Sequence, residues 1–198
     1  MKKILFILVA LMAVSSCTNS ASINEQKEPR DSTLIGAVTD SIFSQFPEDI
    51  DNTAIELDIL ETATTYTAGF IGKPLPIVED VPLYYLDAVR HPNGDYCARF
   101  KTRAAYKVVD NSASNLSPEY NYEFEVWAVL SKDVIYKLDS NKKYSIRGGR
   151  LKSVDTSSME ATTKCGSYEK YLDWGAFLID HPEIHEVGAI SDGEVVKL

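Results

Sequence analysis

Histidine is scarce in this chain, with three in 198 residues. Two of them, His181 and His185, have the i, i+4 spacing of paired helical metal ligands. Pro182 follows His181 directly and disfavours a helix running across both, so no metal and no cofactor is expected. The three cysteines form no zinc-ligand pattern, and GxSxG, P-loop and GxGxxG sequences are all missing. Cys165-Gly166-Ser167 matches only the start of the papain-type nucleophile signature. Tyr168 stands where that signature has a second cysteine, and too little chain follows for its distant histidine. Glu123 and Glu125, two apart on an expected strand beside arginines, would both stay ionised and would not divide into an acid and a base. With no catalytic residue to name, the expectation is a protein that is not an enzyme.

Positive charge is also in deficit, with 20 basic against 29 acidic residues and a net charge of −9. Affinity for nucleic acid comes largely from neutralising phosphates, so no nucleic-acid partner is expected. Long apolar runs are reduced to one. Ile4 to Val14 is continuously apolar, about half of the ~20 residues that a membrane-spanning helix needs. Met1-Lys2-Lys3 ahead of it and small residues behind it describe a secretory signal.

Val14-Ser15-Ser16-Cys17 closes that run. An aliphatic residue and two small ones directly before cysteine resemble the lipobox of bacterial lipoproteins. The resemblance implies that residues 1–16 are a signal peptide and that Cys17 carries the acyl chains, palmitate among them. It implies a protein anchored in the bacterial cell envelope, with the uncharged Thr18 compatible with sorting to the outer membrane, facing periplasm or exterior. Each buried lipid CH₂ contributes about 0.8 kcal/mol, and one chain alone binds only marginally. Two or three chains would hold firmly, which a mature chain of net charge −11 (18 basic against 29 acidic residues) could not do by charge. The resemblance covers the first twenty residues and does not reach the domain behind them.

Thr18 to Asp31 is polar, small or charged and cannot bury enough surface to offset its ordering entropy. Residues 17–31 therefore read as lipidated cysteine and tether, and residues 32–198 as one α+β domain without internal repeats. Ser32 is placed to cap a helix whose stripe is Leu34, Val38, Ile42 and Phe46. A second helix is expected from about Glu48, with Ile50, Ala54, Leu57, Leu60 and Thr64 on one face. From Leu83 the period becomes two. "LYYLDAVR" and "YCARFKTRAAYKVV" flank Asn93-Gly94, a strong hairpin signal. "YNYEFEVWAVL", "VIYKL" and "KYSIRGGRLKSV" continue as an antiparallel meander, with a bulge or bend at Gly148-Gly149. "SYEKYLDWGAFLI" reads as a C-terminal helix, and a small hairpin follows around Asp192-Gly193. The whole is N-terminal helices packed on an antiparallel meander, which a roll, an open barrel or a sandwich would satisfy equally.

Cys97 and Cys165 remain once Cys17 is spent. In an oxidising compartment they read as a disulfide, one that would stabilise the fold by roughly 4 kcal/mol. Parity puts Cys97 on the charged face of its strand, away from Tyr96 and Phe100. That face carries Arg99, Lys101 and Arg103, and a later strand adds Arg147 and Arg150, so a phosphate or acidic sugar is a candidate ligand. Glu123 and Glu125 on the neighbouring strand offer the alternative of cross-strand neutralisation. Among the aromatics, Tyr85, Tyr120 and Trp127 are those whose placement matters for binding. The expectation is a membrane-anchored envelope lipoprotein acting as a non-enzymatic interaction or binding module for an envelope or extracellular protein. A receptor for a small anionic ligand is the alternative, followed by an immunity or inhibitor protein and by a hydrolase with an unrecognised site.

Overall fold

The computed structural model describes residues 33–46, 52–102, 122–163 and 170–190. The signal, Cys17 and the tether lie outside these residues, as do Ser32, Arg103, Tyr120, Cys165 and the hairpin expected at Asp192-Gly193.

Helix α1 spans Leu34–Phe43 and α2 spans Thr53–Ala68. Thr33 caps α1, its Oγ1 accepting from the Gly36 N–H at 3.2 Å, and Asn52 caps α2 through the Ala54 N–H at 2.9 Å. In α1, Val38 and Ile42 are buried as expected. The stripe expected on α2 holds only in part, with Leu60 packed against the core and Ile50 outside the described residues. The helix begins at Thr53, its buried residues are Ile59, Ala63 and Thr67, and Leu57 is 61% exposed. Small side chains at 63 and 67 allow close approach to the core. The Thr67 hydroxyl is satisfied locally, donating to the Ala63 and Thr64 carbonyls.

Among the described residues eight strands follow: β1 Leu83–Arg90, β2 Tyr96–Lys101, β3 Tyr122–Leu130, β4 Lys142–Arg147, β5 Arg150–Asp155, β6 Glu160–Thr163, β7 Lys170–Asp180 and β8 Glu183–Ala189. They form one mixed sheet in the order β5-β7-β3-β2-β1-β4-β8, with β6 beside β7. The hairpin at Asn93-Gly94 forms as expected. His91 N–H donates to the Asp95 carbonyl at 2.8 Å, and Gly94 takes φ +98°.

Three expectations are corrected. The C-terminal helix is strand β7, which pairs parallel to β3, so the sheet is not a pure antiparallel meander. Gly175, at φ +76°, makes a bulge that shifts the strand's parity. Leu172 and Trp174 face inward before it, and Phe177 and Ile179 after it. The resulting spacing of two, three and two imitates a helical stripe. A Cβ at Gly175 would collide with the Asp155 carbonyl. "VIYKL" is not a strand either. Ser131 and Asp133 are helix-start residues, and a short helix α3 spans Lys132–Ile135. "KYSIRGGRLKSV", finally, is two strands in different parts of the sheet.

That last correction explains the curvature. β4 pairs with β1 and β8, whereas β5 pairs with β7 at the other end of the order. Only Gly148 and Gly149 connect them, at φ +61° and +70°. Likewise, only His181 and Pro182 connect β7 to β8. Two residues span so little distance that the two ends of the sheet must curl towards each other. The concave side holds the core, including Phe100, Phe124, Phe177 and Trp174 with Ile35 and Ile59 from the helices. Trp174 is fully buried, and its Nε1–H donates to the equally buried Thr39 Oγ1 at 3.1 Å.

A Cβ at Gly149 would lie 2.8 Å from Ile179 Cγ2 and 2.9 Å from the Asp180 carbonyl, whereas at Gly148 it meets nothing within 4 Å. Gly148→Ala should therefore cost only the left-handed backbone penalty, about 1–2 kcal/mol. Gly149→Ala should cost about 2–4 kcal/mol, because overpacking adds to the same penalty. Urea midpoints of the two variants check the order.

Candidate functional site

Alternation along β3 divides the sheet into two faces. Tyr122, Phe124, Val126, Ala128 and Leu130 are buried on the concave side, while Glu123, Glu125, Trp127 and Val129 point to the convex side. Register carries that division across neighbouring strands. One convex row runs Asp87, Arg99, Trp127, Leu178 from β1 to β7, and the next runs Val89, Cys97, Val129, Asp180. On the other side of Trp127 lie Lys101 and Glu125, then Glu123 opposite Asp173, with Glu160 of β6 beyond it.

Trp127 is 41% exposed in this charged setting and Val89 is 64% exposed. The indole Nε1–H donates to Glu125 Oε2 at 3.2 Å. One edge of the ring is thereby tied to the strand while part of its surface meets solvent. Tyr85 takes the opposite course, half-buried with its ring centroid 5.7 Å from that of Phe100. Among the described residues, Trp127 is thus the expected binding aromatic that is displayed.

The expected basic face is not assembled as one surface. Arg99 Nη2 pairs with Asp87 Oδ2 at 2.6 Å. Lys101 Nζ pairs with Glu123 and lies 3.9 Å from Glu125 Oε1. Arg147 and Arg150 flank the Gly148-Gly149 corner, in register with Glu183 and Asp180 on strands that β2 does not touch. Cross-strand neutralisation is what β2 and β3 display. Cys97 is a free thiol in this structure, buried on the convex side, and burial raises its pKa.

Sequence reasoning missed Asp173 and Tyr171, because a helical β7 would have sent them elsewhere. Glu123 is held between two donors, the Lys101 ammonium and the Tyr171 hydroxyl at 3.0 Å. Burial, then Glu123 and Asp173, raise the pKa of that phenol. Burial pulls Lys101 down, but the bonded Glu123 more than reverses this and the net direction is up. Asp173 accepts the Gly175 N–H at 2.7 Å. Burial first, then Glu123 and Glu125, push its carboxyl up to about 6, against the lowering pull of the Gly175 bond and Lys101. Chemically, this end of the face fixes one carboxylate and lets another exchange a proton near pH 6.

Among the described residues, no group of three or more His, Cys, Asp or Glu is arranged to hold a metal ion. No helix among them is long and apolar enough to cross a membrane. No family model, curated protein or solved structure matches this chain.

A carboxyl titrating near 4 when unfolded and near 6 when folded binds its proton more tightly in the folded state. Its ionisation therefore lowers stability as pH rises from about 4 through about 6, with the full penalty above that window. Asp173→Asn keeps an oxygen for the Gly175 N–H and removes the charge. It should raise Tm at pH 7.5 and give no gain at pH 4, and thermal melts at the two pH values check both parts.

Proposed function

We propose that the protein is a bacterial envelope lipoprotein, anchored through acylated Cys17, whose domain is a non-enzymatic binding module for a protein partner. Val14-Ser15-Ser16-Cys17 supports the anchor and the polar stretch Thr18 to Asp31 supports a tether. One observation carries the binding reading. Trp127 sits on the convex face with its Nε1–H tied to Glu125 and 41% of its surface in water. Ordinary sheet packing would place an indole of this size inside, as it does Trp174. Buried aromatic anchors dominate the energetics of protein interfaces, so an indole fixed in orientation before binding costs less to order.

An immunity or inhibitor protein would be one form of this module, with a toxin or enzyme as its partner. The receptor for a phosphate- or acidic-sugar-bearing ligand is less well supported, because Arg99 and Lys101 already face carboxylates. An anion would have to displace them.

Two outcomes follow. Cys17→Ser should move the protein from the membrane fraction to the soluble fraction. Immobilised residues 21–198 should retain a stoichiometric protein from native envelope or culture-fluid extract, and Trp127→Ala should lose most of it. Mass spectrometry of the retained material, compared with the variant's, reads the result. A blank for both proteins, repeated with the lipidated chain, would refute the binding module.

A further inference from the structure

Cys97 and Cys165 are the pair that an oxidising compartment would join, and the sheet decides whether they can meet. A disulfide needs its two Cα atoms within about 7 Å of each other. Cys97 lies in the register row that runs through Val129 to Asp180, the last residue of β7. Cys165 lies outside the described residues, but it follows Thr163 by two positions, and Thr163 is placed opposite Lys170, the first residue of β7. Successive Cα atoms are about 3.8 Å apart, so the chain keeps Cys165 within about 7.6 Å of Thr163. Joined cysteines would therefore need Thr163 within about 15 Å of Cys97.

The strands hold the two further apart than that. β3 measures the distance without a bulge, since its Tyr122 pairs with Leu172 and its Val129 with Asp180. At about 3.3 Å per residue that stretch is roughly 23 Å long, and Lys170 lies two residues beyond it, about 30 Å from Asp180. Separation across the sheet adds to this. Cys97 is reached from β7 through β3 and β2, whereas Thr163 is on β6 at the opposite side of β7, making three strand spacings of about 4.8 Å each. We infer that the fold keeps Cys97 and Cys165 apart as two thiols, so that the disulfide expected from the cysteine count does not form within a folded chain. Closing it would require β6 and the start of β7 to leave the sheet, taking buried Ala161 and Leu172 out of the core. The thiol of Cys97 is itself buried, and its raised pKa leaves little thiolate for exchange. The inference is independent of what the domain binds, and it makes the stability of the folded chain indifferent to the redox state around it.

The full chain carrying Cys17→Ser retains these two cysteines and tests this. Oxidised glutathione is the oxidant. It would accept two electrons and two protons from the thiols and leave as two reduced molecules. Excess oxidant is added to dilute protein in buffer and in urea above the unfolding midpoint, and alkylation with non-reducing peptide mapping reads the link. The peptide joining Cys97 to Cys165 should form in urea, where the unfolded chain lets the two meet, and be missing from the folded sample. Tm should be the same before and after oxidation of the folded protein. Recovery of the linked peptide from the folded monomer would overturn the inference. So would a rise in Tm on oxidation that Cys165→Ser abolishes.

Discussion

Chain connectivity bends this sheet, and the bend decides which side chains meet water. β4 and β5 occupy distant places in the strand order yet are joined by Gly148 and Gly149 alone. The connection is feasible only because both residues take positive φ, and because Gly149 has no Cβ to strike Ile179 and the Asp180 carbonyl. The link of His181 and Pro182 between β7 and β8 imposes the same demand a few residues away. Once the ends of the sheet approach, its concave side encloses a volume that large apolar side chains must fill. Phe100, Phe124, Trp174 and Phe177 occupy it, in one core with Ile35 of α1 and Ile59 of α2. The Trp174–Thr39 hydrogen bond satisfies the polar atom that this filling buries.

The convex side inherits everything that the concave side excludes. Its acids and bases pair across strands, Arg99 with Asp87 at the surface and Lys101 with the largely buried Glu123, and the exposed pair contributes little to stability. Their effect is to fix geometry. Among the described residues, carboxylates crowd around Asp173 and apolar side chains around Trp127. The raised pKa of Asp173 expresses the same crowding as a titration. The chain's two tryptophans thus have opposite positions, one filling the core and one displayed.

Wherever a local signal and its tertiary consequence coincide, the sequence is readable. Asn93-Gly94 and the alternation of Glu123, Glu125 and Trp127 specify the hairpin and the faces of β3 without outside help. β7 was not readable, because its bulge at Gly175 converts a period of two into spacings that resemble a helix. With β7 read as a helix, Asp173 could not be matched with Glu123, so the acidic end of the convex face went unseen. The buried side of α2 was hidden for a related reason. Ala63 and Thr67 are small, and the stripe built from larger residues pointed to Leu57 instead. Arg99 and Lys101 are legible from parity, and so are Glu123 and Glu125 as the acids across from them, but Asp87 as the partner of Arg99 depends on a register that only the assembled sheet supplies.

Hydroxyl-radical footprinting of the full-length chain, with and without native envelope extract, tests the central claim that the convex face is the binding surface. Trp127 and Leu178 should be protected from oxidation in the presence of extract, while exposed Val187 on β8 should react at the same rate in both. Protection of Val187 with Trp127 unchanged would contradict the account and move binding to the sheet edge.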